Sequence, residues 1–121
     1  MNDADAALAR PQYTVKSVEP IAMGTDVQAR RFTLGAGEAI PWHFHSEVSD
    51  WYVCLEGRLT VETRAPRHLV ELAPGGTYSI PPKTAHLISN MGAEDCRFML
   101  IQGVGRNDFH LVGQTGTAPA A

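Results

Sequence analysis

From residue 12 onward, apolar and polar positions alternate in short runs. No stretch there keeps apolar residues at a 3.6-residue period over three turns. A period of two predicts strands, and the chain offers them in series. "QYTVKSVEP" is rich in β-formers and ends at Pro20. "QARRFTLGAG" alternates and then breaks at Gly35 and Gly37. "SDWYVCLEG" and "RLTVETR" meet at Glu56-Gly57, a hairpin signal. "HLVELAPGG" closes on a Pro-Gly-Gly turn, "TYSIPP" is stopped by two prolines, and "AHLISN" and "CRFMLIQG" complete the set. Turn signals recur every 8 to 12 residues. That spacing predicts an all-β sandwich or barrel with little helix.

Both ends read differently. Residues 2–10 could form one or two helical turns but have no apolar periodicity to anchor them, so residues 1–11 are expected to be a flexible arm. The Gly/Thr/Ala/Pro-rich residues 114–121 are expected to be a disordered tail. Between them residues 12–113 form one domain, as a chain of 121 residues without a 20- to 50-residue repeat implies.

Composition narrows the function classes. Apolar residues make up 44% and charged residues 19%, with a net charge of -3. No basic run suggests nucleic acid or a membrane surface. The longest apolar segment, "RFMLIQGVG", is too short to span a bilayer. Two aspartates lie near the start, where a secretory signal would need positive charge and then an apolar block. A cytoplasmic protein is expected. Cys54 and Cys96 lack C-x-x-C spacing and are expected to be free thiols.

The chemistry concentrates in "PWHFHSEVSDW", residues 41–51. On a strand, side chains at i and i+2 share a face, roughly 6.5–7 Å apart at the backbone. His43 and His45 can therefore converge on one ion, while Trp42 and Phe44 point the other way, into a core or a subunit contact. Alternation also places Asp50, Tyr52 and Cys54 on one face of the next strand. If Asp50 faces the histidines, Tyr52 and Cys54 line the same cavity. His86 follows much later and must join through folding. Arg30 alternates with Phe32 and Leu34, so it points inward if they do, where it could pair with an acidic substrate.

These residues resemble the cupin motifs. The first motif is matched by Gly37, five residues, His43-Phe44-His45, four residues, Asp50, six residues and Gly57. The second is matched by Gly75, five residues, Pro81-Pro82-Lys83, two residues, His86, three residues and Asn90. The resemblance implies a double-stranded β-helix, the cupin or jelly-roll barrel. It also implies one divalent transition metal per chain, with His43, His45, His86 and Asp50 as ligands. Nitrogen and oxygen donors of this kind suit Fe, Mn, Ni, Cu or Zn, and a thiolate-free set argues against a closed structural zinc.

Two positions depart from the family pattern. Asp50 stands where glutamate is usual, about 1.3 Å shorter in reach against metal–ligand tolerances of about 0.2 Å. Direct ligation, ligation through a water, or a role orienting a histidine all stay open. Lys83 replaces a glycine and requires an unstrained backbone in the turn before His86.

The resemblance implies a mononuclear metal-dependent oxygenase of the dioxygenase type, acting on a small oxygen-donor molecule. A non-redox isomerase or lyase, or a small-ligand-binding barrel without turnover, is the alternative. Tyr52 is the candidate proton donor. Cys54, Arg30 and His110 are candidate pocket residues, His110 by closing over the barrel mouth from the C-terminal segment. Glu47 is a rival carboxylate in a turn, His68 a surface residue and Asn90 a turn-holding one. Related cupins often dimerise by exchanging the first strand, so a homodimer is expected.

Overall fold

Buried and more exposed side chains alternate most clearly over Ser49–Glu56 and Cys96–Gly103, the strands at the centre of one of two antiparallel sheets. A computed structural model describes residues 14–112, so the expected arm over residues 1–11 and the tail over 114–121 lie outside the described residues. The strands are β1 (Ser17–Met23), β2 (Val27–Leu34), β3 (Ala39–Phe44), β4 (Ser49–Glu56), β5 (Leu59–Thr63), β6 (His68–Leu72), β7 (Thr77–Ile80), β8 (His86–Ser89), β9 (Cys96–Gly103) and β10 (His110–Leu111). One sheet has the order β1-β2-β9-β4-β7 and the other β10-β3-β8-β5-β6. No described residue is helical. This is the double-stranded β-helix that the motifs implied.

The core lies between the sheets. Phe32, Leu34, Tyr52, Ile80, Phe98 and Leu100 come from the first sheet and Ile40, Leu59, Val61, Leu72 and Ile88 from the second. Phe32 and Phe98 stack with ring centroids 5.0 Å apart, across the β2–β9 register pair that joins them. Both thiols are free and buried here. Burial pushes the Cys54 thiol up and the Cys96 thiol up to about 12, which leaves neither reactive at neutral pH.

Three expectations need correction. Glu56-Gly57 does not make a hairpin, because β4 pairs with β7 and β9 while β5 pairs with β6 and β8. Gly57 instead sends the chain from one sheet to the other at a φ of 73°. A Cβ there would lie 2.6 Å from the Asp95 carbonyl oxygen, so glycine is required. Next, Pro20 does not end its strand. β1 runs through it on the edge of its sheet, with a register shift between Pro20 and Ala22, and an edge strand tolerates the missing N–H.

The third correction concerns Lys83, which takes a φ of 61° rather than an unstrained turn. The lysine keeps the left-handed geometry that glycine favours, and its backbone N–H donates to the His45 carbonyl at 2.7 Å. A non-glycine residue there costs about 1–2 kcal/mol. Glycine returns about 0.4–1 kcal/mol of that to unfolded-state entropy. Lys83→Gly is therefore expected to raise stability by up to about 1 kcal/mol in urea unfolding; a loss of stability would show that the turn is not strained.

Candidate metal centre

The second sheet supplies the imidazoles. His43 on β3 and His86 on β8 are direct register partners, and His45 lies one residue past the end of β3. The register slips between Ile40 and His43, where three β3 steps span two on β8. This bulge lets both Ile40 and His43 face inward, which strict alternation forbids. The rings then crowd together, with centroids 4.2 Å apart for His43–His86, 5.0 Å for His43–His45 and 5.4 Å for His45–His86.

Backbone carbonyls fix the tautomers. The Nδ1 of His43 lies 2.6 Å from the Pro41 oxygen, that of His45 2.5 Å from the Asp108 oxygen, and that of His86 2.8 Å from the Thr84 oxygen. A carbonyl only accepts, so each Nδ1 carries a proton and each Nε2 is left for another partner. Outer hydrogen bonds of this kind orient metal-binding histidines.

The first sheet supplies the oxygen. Asp50 on β4 puts Oδ2 3.3 Å from His45 Nε2 and 3.0 Å from His86 Nε2. Tyr52 donates its hydroxyl hydrogen to Oδ2 at 2.7 Å, and the Gln102 amide on β9 donates to Oδ1 at 3.0 Å. Relative exposure is 3% for His43, 4% for His45, 1% for Asp50 and 1% for His86, so the group is screened from bulk water. Burial and the neighbouring rings of His86 and His45 hold His43 well below the usual imidazole range, hence neutral. Burial also opposes charge on His45, but the Asp50 carboxylate outweighs it and raises that ring. Burial would raise Asp50 too, yet the close His45 and His86 rings hold it far below the ordinary carboxylate range.

The donors fit a single metal ion. One ligand atom from each of His43, His45, Asp50 and His86 lies within 4.8 Å of all the others. The buried His86 Nε2 has no hydrogen-bond partner despite its approach to Asp50, as expected of a lone pair meant for a cation. Asp50 Oδ2 lies close to two of the three imidazoles.

Residues 104–109 cross the end of the barrel beside this group. Phe109 stacks on His43 with centroids 4.4 Å apart. Ser46 donates its backbone N–H to Asp108 Oδ1 at 2.8 Å and its hydroxyl to Asp108 Oδ2. Arg106 donates its backbone N–H to Glu47 Oε1 at 3.2 Å, so Glu47 holds this segment and is not part of the cluster. Burial would raise Asp108, but the Ser46 hydrogen bonds and His110 keep its carboxyl below the usual range.

The remaining candidates divide by position. Tyr52 and Arg30 are buried and point inward. Arg30 donates through Nη2 to the Gln102 oxygen. Cys54 shares the inward face but lies at the far end of β4, its thiol against the carbonyls of Glu56 and Gly57. His110 stacks on Phe44, on the face of β3 turned away from the histidines, and its Nε2 lies 3.1 Å from Asp108 Oδ2. The neighbouring Phe109 covers the cluster instead. His68 is exposed and meets the Tyr78 hydroxyl, and Asn90 ties Leu34, Gly35, Glu94 and Gly92 together in a turn. Sequence reasoning missed Gln102, although it continues the inward series of Cys96, Phe98 and Leu100 as the one polar member. Phe109 left no comparable signal.

Known structures repeat this fold. An oxalate oxidase in complex with the substrate analogue glycolate matches with a TM-score of 0.70 at 18% identity over 79% of this chain. The chain spans 54% of that protein's length. The protein TT1209 of Thermus thermophilus matches with a TM-score of 0.68 at 23% identity, covering 86% of this chain and 96% of the other. A conserved Klebsiella pneumoniae protein with a double-stranded β-helix domain matches with a TM-score of 0.68 at 21% identity, covering 79% and 86%. At such identities the likeness shows the fold alone. No curated protein matches the sequence. The family model described as "Cupin domain" matches residues 30–102, which is more than half of the chain and includes all four residues of the cluster, and the chain therefore belongs to the cupin family.

Proposed function

We propose that the chain is a mononuclear metal-dependent oxygenase acting on a small oxygen-donor organic molecule, with His43, His45, His86 and Asp50 holding the ion. The observation that supports this reading is the buried Nε2 of His86, without a hydrogen-bond partner in a group whose three Nδ1 atoms are tied to backbone carbonyls. A bound redox-active ion would supply polarisation of the substrate and a site for dioxygen. The chain's own residues do the rest. The backbone carbonyls keep the imidazole lone pairs aimed inward. Tyr52 holds a proton at Asp50 Oδ2, where it would be available as a general acid. Phe109 and the buried strand ends exclude water.

The test is metal analysis of protein made without added metal, followed by oxygen uptake with catechols, flavonols, diketones and thiols. Stoichiometric iron or copper with substrate-dependent uptake is expected. Stoichiometric zinc or nickel without oxygen uptake would replace the oxygenase with a non-redox isomerase or lyase.

A homodimer is part of the same proposal, but through a different surface from the one expected. Trp42 is covered by the Arg64 guanidinium, 4.0 Å from its ring centroid, and Phe44 by His110. The outer face of the β1-β2-β9-β4-β7 sheet carries an apolar patch instead, bordered by Arg31 and Arg97. Trp51 is 42% exposed there and pairs with Ile101, beside the Val53–Met99 pair. Trp51→Glu is expected to convert a species of twice the chain's mass to monomer in light-scattering chromatography; unchanged mass would exclude this face.

A further inference from the structure

The Gln102 side chain is fixed at both ends. Its oxygen accepts from Arg30 Nη2, and from Asn107 Nδ2 at 3.4 Å. Two N–H donors at one end settle the orientation of the amide, so the NH2 group must face the cluster. One hydrogen reaches Asp50 Oδ1 at 3.0 Å. The other faces His45 Nε2 at 3.3 Å. That nitrogen offers the same lone pair that an ion would take. Once His45 gives it to a metal, the second amide hydrogen loses its acceptor among the described residues and still points into the ion's surroundings. A buried N–H without an acceptor is costly. It calls for an oxygen bound to the ion next to Asp50. Arg30 is itself buried behind the amide, and its charge polarises Gln102 into a stronger donor toward negative oxygen.

We propose that Gln102, held by Arg30, makes the open position of the centre selective for a carboxylate or comparable oxyanion of a small ligand over a neutral oxygen donor. This rests on the metal-centre reading above and adds the ligand class. Gln102 is the residue that determines specificity; Arg30 acts through it as a positioning residue. The buried cation also offsets the second negative charge that such a ligand brings beside Asp50.

The test loads the protein with Co(II) and follows its visible d–d spectrum during titration with acetate and, as the neutral comparison, acetamide. Cobalt stoichiometry is measured first. Wild type is expected to bind acetate at least tenfold more tightly than acetamide. Gln102→Glu keeps the shape and an acceptor for Arg30 but removes the donated hydrogens, and Gln102→Met removes the amide. Both are expected to retain one cobalt and lose at least tenfold in acetate affinity, with a smaller loss for acetamide. Arg30→Met is expected to lower the acetate-to-acetamide ratio, and Arg30→Lys to restore part of it, which a merely structural role would not do. Cobalt-loaded Gln102 variants that bind acetate as wild type does would overturn the proposal and leave the metal centre standing. Absence of cobalt from the wild type would overturn both. If one Gln102 variant does not fold, the other decides.

Discussion

Replacing His86 with alanine is expected to abolish stoichiometric uptake of divalent transition ions while the barrel still folds. His86 sits opposite His43 across the β3–β8 ladder, and its buried Nε2 has no hydrogen-bond partner among the described residues. In the proposed centre, removing it takes away one donor of four. Loss of even an outer partner typically costs 10- to 100-fold in affinity, so loss of a ligand is expected to cost at least about 100-fold. The fold pays less. The Thr84 carbonyl loses its partner, worth about 1–3 kcal/mol if water cannot reach it. Metal content after reconstitution, read beside circular dichroism, checks both halves. His68→Ala, which removes an exposed histidine, serves as the control. A folded His86→Ala protein carrying one ion per chain would remove this residue from the centre.

Phe98→Ala is expected to have the largest effect on stability. The ring is fully buried, stacks on Phe32 and meets Tyr52 with centroids 5.7 Å apart. Truncating a buried phenylalanine costs about 3–5 kcal/mol, a large share of the roughly 5–15 kcal/mol that holds a domain together. The thermal midpoint is expected to fall by roughly 15–30 °C. The variant also tests how the core supports the site, because β9 carries Phe98 inward at one step and Gln102 at the second inward step after it. A loss under about 1 kcal/mol would mean that the sheets close over the gap.

The strands and the cluster were legible for the same reason: a period of two tells which residues share a face, and His43, His45, Asp50 and Tyr52 share theirs by arithmetic. What escaped depended on departures from that arithmetic or on partners distant in sequence. Alternation cannot foresee the slip between Ile40 and His43 that turns both inward. The Glu56-Gly57 pair carries the residue type of a hairpin, but a left-handed glycine serves a sheet-to-sheet crossing equally well, and only long-range pairing distinguishes the two. Lys83 shows the reverse case, where the fold imposes a glycine's geometry on a residue that resists it. His110 and Phe109 differ by one position, and in a segment with so little regular strand one position decides which ring covers the histidines.

The donors are divided by sheet: nitrogen from β3, its end and β8 on one side, carboxylate from β4 on the other. A captured cation is thus a clasp joining the two halves of the sandwich at one rim. Its binding energy adds to cohesion by mass action, about 2.7 kcal/mol when free ion stands at a hundred times its dissociation constant. Chelators would unfasten that rim, leaving the opposite end, with its buried thiols, held by hydrocarbon packing and the hydrogen bonds of Asn90.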